Sequence, residues 1–421
     1  MALHVRHRRY PNVTATGGYP ESVPLRVLHL STYSRGGGAA RAASAVDRAL
    51  TSVGVESRLV SAHGPRFVAA KNADRLLWHL QRSPLESWRS PARFGSLSAR
   101  EINRSSADII NLHWVTDGFL SIEQIGKIDK PVVMSLYDMW AFCGTEHYGV
   151  DSPTARWRTG YTSANRPAMD TGWDIDRDAW QRKRDAWPGF HIVPASTWLT
   201  EAARHSALFE SWPLTRIPHP VDPVTFQPLD KQQAREALGL DPKRPTIAFL
   251  ASAGITDTRK GFDLLADALT RLPNQSDIPQ ILLVGPTPGP SALPGQVDVR
   301  AIGNAPDDAS LVRAYCAADV LAVPSREDNM PLTAMEAQMC GRPVVAFDIG
   351  GLPDIVQHES TGYLAGPFDT RDFARGLERA LDDARTAGNW GQRARERAER
   401  TWGFTPVAQQ YLDVYQQVLG R

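Results

Sequence analysis

The stretch PSREDNMPLTAMEAQMCGRPVVAFDIGGLPDIV, residues 324–356, follows the apolar run DVLAVP and contains a complete strand–loop–helix–strand unit. DVLAVP reads as a buried strand and SREDNM as a polar loop. The helix begins near Pro331, where proline is tolerated because the first-turn N–H groups have no intrahelical partner. PVVAF is the next strand, and Gly350 and Gly351 turn the chain beyond it. Two parallel strands need a crossover of this kind, so the unit predicts a parallel sheet covered on both faces.

The same alternation continues on either side. RVLHLS, ESRLVS, DIINLHW, PVVMSL and FHIVP are short apolar runs separated by amphipathic stretches up to about residue 225. PTIAFLA, PQILLVG, VDVRAI, DVLAVP and PVVAF form a second series. The expected fold class is therefore α/β, with two doubly wound parallel-sheet domains of Rossmann type facing a cleft. Each carries its ligand site at the carboxyl ends of its strands. A proline-rich join, with Pro218, Pro220, Pro223 and Pro228, separates them. The predicted boundaries are a disordered lead-in over 1–23, a first domain over 24–225, a second over 226–404, and a terminal helix over 405–421. That helix is apolar at Val407, Tyr411, Val414, Tyr415 and Val418, and is expected to cross back onto the first domain.

Composition narrows the function. With Lys+Arg 47 against Asp+Glu 46, the chain lacks the cation excess of a general nucleic-acid binder. Cys143, Cys316 and Cys340 show neither zinc spacing nor a disulfide framework, which fits a reducing cytoplasm. No run reaches the roughly 20 apolar residues of a membrane span. Residues 75–94, RLLWHLQRSPLESWRSPARF, mix apolar side chains with Arg75, Arg82, Arg89 and Arg93. A helix packed on the domain is the favoured reading, and peripheral contact with an anionic membrane the other.

Three turns carry candidate chemistry. The loop before Pro331 presents backbone N–H groups at a helix start, an anion site suited to a diphosphate. Asp328 and Glu336 bracket it, eight residues apart. An acid one to two turns into the helix can accept from both ribose hydroxyls, and one in the loop can reach a sugar beyond the phosphates. The bland alternative is that Asp328 caps the helix and Glu336 is solvated or salt-bridged. In TDTRKGFDLLADAL, residues 256–269, Arg259 and Lys260 stand at another strand-to-helix turn, where a cation can neutralise a diphosphate leaving group. In STYSRGGGAARAASAVDRAL, the run Gly36, Gly37, Gly38 lets backbone approach a ligand closely.

Taken together, residues 324–356 resemble the donor-binding region of glycosyltransferase family 4, retaining enzymes of the GT-B fold. The likeness extends over most of residues 26–400. It implies that Glu336 holds the ribose and that Asn329, Met330, Pro331 and Leu332 lie against sugar and phosphate. Asp328 stands where the family usually has Glu, and Glu327 beside it leaves open which acid serves. Lys260 matches the family's lysine, whereas the usual arginine falls on Ile255, with Arg259 as the substitute. The resemblance also implies that Gly37 and Gly38 face the donor phosphates. In PVVMSLYDMWAFCGTEHYG, Tyr137 occupies the place where related members often carry His. Asp138, His147 and, less favoured, His113 remain candidates for contact with the reacting sugar or acceptor, or for purely structural roles. Trp140, Trp157, Trp173, Trp180 and Trp187 either stack on acceptor sugars or anchor a loop-rich insertion. DIDRD at 174–178 reads as a helix start rather than a metal site.

The resemblance implies transfer of a sugar from a nucleotide diphosphate, with retention, without cofactor or metal, onto a glycan or lipid-linked acceptor. HWV, GFLS, DMWAF and EHY resemble bacterial exopolysaccharide and O-antigen members. A nucleotide-sugar epimerase and a non-catalytic nucleotide-sugar-binding scaffold are the alternatives. One diphosphate touching both domains also requires the cleft to narrow.

Overall fold

The computed structural model describes residues 24–83, 88–252, 254–272, 279–286, 298–386 and 388–420. The expected lead-in over 1–23 lies outside the described residues. The strands in chain order are β1 (Arg26–Ser31), β2 (Glu56–Ser61), β3 (Gln81–Arg82), β4 (Ile109–Leu112), β5 (Val132–Leu136), β6 (Thr171–Gly172) and β7 (His191–Pro194). A second series follows: β8 (Thr246–Leu250), β9 (Gln280–Val284), β10 (Val299–Ala301), β11 (Val320–Val323), β12 (Val344–Phe347) and β13 (Gly362–Ala365).

The first sheet has the order β2-β1-β4-β5-β7 and the second β10-β9-β8-β11-β12-β13. Every pairing within them is parallel. Both orders reverse direction once, between β1 and β4 in the first sheet and between β8 and β11 in the second. Loops leaving the two strands at such a reversal diverge to opposite faces and open a crevice. The fold is therefore the expected pair of doubly wound sheets. Two elements escaped the sequence pattern. Strand β13 is a short edge strand beginning with glycine, and β3 and β6 form an antiparallel ribbon too short to show a period.

The terminal helix, Phe404–Val418, crosses back as the pattern suggested. Its Val407, Tyr411, Val414 and Tyr415 are buried in one cluster with Val46 and Leu50 of the helix Gly38–Ser52. Two hydroxyls anchor it to the first sheet: Asn111 Nδ2 donates to Tyr415 Oη at 2.8 Å, and Tyr411 Oη lies 3.1 Å from Ser135 Oγ. The proline-rich join runs beside the return crossing, with Val221 N–H donating to the Trp402 carbonyl at 2.8 Å.

Of the five tryptophans between 140 and 190, Trp140, Trp157, Trp180 and Trp187 are buried among Phe142, Tyr161 and Phe190, and Trp173 is exposed. The four buried indoles anchor the insertion, which removes them as sugar-stacking surfaces. Asp174 caps the helix Ile175–Ala186 by accepting from Arg177 N–H, so DIDRD is a helix start. Of the arginines in 75–94, Arg75 pairs with Asp117, Arg89 with Asp176 and Arg93 with Asp178. The apolar side chains Leu76, Leu80, Trp88 and Phe94 are exposed; residues 84–87 lie outside the described ones. Among the described residues no helix is long and apolar enough to cross a membrane.

Candidate functional site

The two reversal points face one another across a cavity of about 1080 Å³. On the first wall, β1 runs into the glycine turn. Gly36 and Gly37 have φ of 74° and 59°, left-handed values that an L side chain rarely adopts. Gly37 is the N-cap of the helix Gly38–Ser52, and Gly37 and Gly38 both line the cavity.

The second wall is assembled from the turn after β8 and the loop after β11, stitched together by backbone. Arg326 N–H donates to the Arg259 carbonyl at 2.8 Å, and the Arg326 guanidinium reaches the Thr258 carbonyl at 2.9 Å. Gly351 packs so tightly on the Asn329 carbonyl that a Cβ there would overlap it. These contacts place Lys260 Nζ 2.6 Å from Asp328 Oδ2, with Ser325 Oγ donating to the same oxygen at 3.1 Å. Asp328 lines the cavity, whereas Glu327 is not among its lining residues. Arg259 also lines the cavity and is bound to the Glu327 carbonyl at 3.3 Å and to Asp257 at 3.4 Å. Burial opposes its charge, but Asp328 and Asp257 hold its guanidinium above its ordinary range. Asp328 does not cap the next helix: the N-cap of Leu332–Met339 is Pro331, without a side-chain cap.

Glu336, one turn into that helix, is buried. Its Oε2 accepts from Tyr315 Oη at 2.8 Å, and its Oε1 accepts from Arg41 Nη2 at 2.5 Å. Burial pushes this carboxyl up from its ordinary value, opposed by the Arg41 charge and the Tyr315 hydroxyl. Arg41 belongs to the first wall and also holds Asp308 at 3.0 Å. The cleft is bridged a second time at Asn329, whose Nδ2 donates to the Tyr137 carbonyl at 3.0 Å and whose Oδ1 accepts from Ser196 Oγ at 2.5 Å. A third tie joins Thr197 Oγ1 to Asp354 at 2.8 Å. The walls therefore already touch.

Met330, Pro331 and Leu332 line the cavity. Asp138 lines it too, but His147 lies behind Asp138. Its Nδ1 is 2.6 Å from Asp138 Oδ2 and its Nε2 2.8 Å from Ser90 Oγ, an arrangement that orients the carboxylate. His113 is buried away from the cavity in a chain with His29 at 2.8 Å and Tyr137 Oη at 2.6 Å. Among the lining residues to which the sequence assigns no role are Arg35, Arg41, Trp114, Tyr148 and His219. Burial lowers the His219 pKa to about 4 and raises that of Tyr148, so the first keeps a neutral ring and the second its proton. Trp114 Nε1 donates to Asp138 at 3.1 Å, and His219 stacks on Tyr137 with ring centroids 5.0 Å apart. Cys316 and Cys340 are buried core thiols. Among the described residues no cluster of three His, Cys, Asp or Glu side chains could hold a metal ion.

Residues 244–383 match the family described as Glycosyl transferases group 1. The D-inositol 3-phosphate glycosyltransferase of Mycobacterium sp. (strain KMS) is 38% identical over 176 residues, which cover 39% of this chain and 39% of that relative. The chain thus spans about four-tenths of the length of that curated relative. Sucrose-phosphate synthase from Thermosynechococcus elongatus superposes with a TM-score of 0.64 at 18% identity, over 94% of this chain and 99% of that one. HepE from Anabaena in complex with UDP-glucose superposes with a TM-score of 0.60 at 15% identity, over 93% and 100%. The fold is GT-B.

Proposed function

We propose that the protein is a retaining, metal-independent glycosyltransferase. It moves a hexose-type sugar from a UDP or GDP donor to a glycan or lipid-linked acceptor in cell-surface polysaccharide assembly. The observation that carries this reading is the convergence of Gly37, Gly38, Lys260, the N-terminus of Leu332–Met339 and Glu336 on one cavity at two facing strand reversals. Helix N–H groups and a lysine suit a diphosphate, and a buried carboxylate suits paired ribose hydroxyls. In the reaction the bond between the anomeric carbon and the diphosphate oxygen breaks, with Lys260 and the helix amides stabilising the departing charge. The acceptor oxygen bonds to that carbon from the same face, and its proton passes to the leaving phosphate. Asp328 holds sugar hydroxyls, Arg259 supplements Lys260, and Asp138, oriented by His147, contacts the sugar or acceptor.

The relatives' name makes D-inositol 3-phosphate a second acceptor to screen. The exposed Leu76, Leu80, Trp88 and Phe94 supply apolar surface for peripheral membrane contact. Calorimetry with UDP- and GDP-sugars, followed by transfer assays in EDTA, tests the reading. Binding of one donor and turnover undiminished by chelation are expected. Transfer abolished by EDTA and restored by magnesium or manganese would overturn metal independence. Consumption of the nucleotide sugar without any acceptor would favour an epimerase, and binding without turnover a scaffold.

A further inference from the structure

Three arginines of the first domain, Arg35, Arg41 and Arg48, line the cavity, and Arg41 bonds to acids of the second domain's site. Arg41 reaches across the cleft from the helix Gly38–Ser52 and divides its guanidinium between Glu336 at 2.5 Å and Asp308 at 3.0 Å. Both Glu336 oxygens are thereby engaged, since Tyr315 holds the other. Arg41 lines the cavity together with Lys260 and the Gly36–Gly38 turn, three residues before it. A cation near a helix N-terminus opposes the helix dipole, so its own element gives Arg41 no support. What holds it is the pair of carboxylates, and a planar guanidinium binds phosphate oxygens in the same two-pronged way as it binds carboxylate oxygens.

We propose that Arg41 is a donor-binding residue that exchanges partners. When a nucleoside diphosphate enters, the ribose hydroxyls take the Glu336 oxygen that Arg41 holds in this structure, and the guanidinium turns to the diphosphate. The inference rests on the donor-site reading above. Each ionic group is satisfied on both sides of the exchange: Glu336 gives up a guanidinium and accepts two hydroxyls, Arg41 gives up its carboxylates and gains phosphate oxygens, and Asp308, with a side chain 38% exposed, turns to water. Only a short reorientation of one flexible side chain is required, because all the groups face one cavity. The diphosphate is then held from both walls, by Arg41 from the first domain and by Lys260 from the second. Arg259 is less free to serve, being bound to Asp257 and the Glu327 carbonyl.

The exchange makes Arg41 a competitor of the ribose and an ally of the diphosphate, which separates it from a merely structural tie. Calorimetry would compare UDP and GDP, UMP and GMP, and uridine and guanosine on the wild type, Arg41→Gln and Arg41→Lys. For whichever diphosphate the wild type binds, Arg41→Gln should weaken binding by about 10–100-fold, the range of a lost charge-assisted contact. The matching nucleoside should bind Arg41→Gln at least as tightly as wild type. Arg41→Lys keeps the charge without the two-pronged geometry and should fall between the two; it also decides the matter alone if Arg41→Gln does not fold. Equal losses for diphosphate and nucleoside, or no loss for either, would overturn the exchange while leaving the donor site standing. A wild type that binds no diphosphate at all would overturn the donor-site reading and this inference with it.

Discussion

The two walls of the cleft have the same strand logic and opposite chemistry. On the second wall the charged groups are fixed within the wall: Lys260 to Asp328, Arg259 to Asp257 and the Glu327 carbonyl, Tyr315 to Glu336. The first wall presents Trp114, Tyr137, Tyr148 and a neutral His219 around Asp138, with Arg35 and Arg48 also lining the cavity, and its Arg41 reaches Glu336 and Asp308 across the gap. A preorganised set of ionic groups suits a ligand of constant charge, since little reorganisation is needed when it arrives. Flat aromatic and neutral polar surfaces suit a partner recognised by shape and stacking. On the proposed function, this contrast gives the invariant part of a substrate pair to the second wall and the variable part to the first.

The largest blow to this contrast should come from Lys260→Ala. On the proposed reading Lys260 meets the leaving diphosphate, so its loss should lower kcat by roughly 10²–10³-fold, as removal of a single preorganised charge donor does elsewhere. A variant of unchanged kcat would move the reacting centre off the second wall. Glu336→Gln comes next. It removes a charge-assisted acceptor and should weaken nucleotide binding by about 10–100-fold with the fold retained. Titration curves superimposable on wild type would dismiss Glu336 as a ribose ligand.

The first wall should answer to pH. Burial lowers the His219 pKa from 6.5 to about 4 and that of His29 to about 3, so the folded chain keeps both rings neutral. Their contribution is fully present above the unfolded value of 6.5 and is lost progressively as pH falls from there to the folded values. By pH 5 each should cost about 2 kcal/mol of stability by linkage. Urea midpoints at pH 7 and pH 5 measure this. His219→Gln should flatten the difference, and a slope as steep as wild type would remove His219 from the account. The smallest effect belongs to Tyr415→Phe, which leaves the Asn111 amide without its buried acceptor. A loss of about 1–2 kcal/mol in the urea transition is expected, with nucleotide affinity untouched. Reduced affinity would mean that the return helix shapes the cleft directly.

The second wall was open to sequence reading because its parts are local. Asp328 and Glu336 lie on one loop and helix, and Lys260 on one turn, so spacing along the chain carries the geometry. Arg41 and Glu336 are 295 residues apart, and no local period brings them together. A hint was present nonetheless, because an arginine shortly after three glycines at a helix start opposes the helix dipole and calls for an anion. Asn329 was expected to contribute backbone, and its side chain also ties the domains through Ser196 and Tyr137. The tryptophans leave two readings open in the sequence because indoles stack on sugars and fill cores by the same surface, and only burial separates the two uses. His219 was hidden in the proline-rich join, which read as a connector.

The return helix also bears on the order in which the protein is made. Asn111 and Tyr415 are separated by 304 residues, yet the two are hydrogen-bonded. At about 5–20 residues per second a ribosome needs roughly 15–60 s to cover that interval. Once β7 (His191–Pro194) is made, the whole first sheet waits without the helix that buries Val46 and Leu50 and accepts from the Asn111 amide. The half of the protein synthesised first is thus the half completed last, and its apolar face is exposed to chaperones, or to another nascent chain, for most of translation.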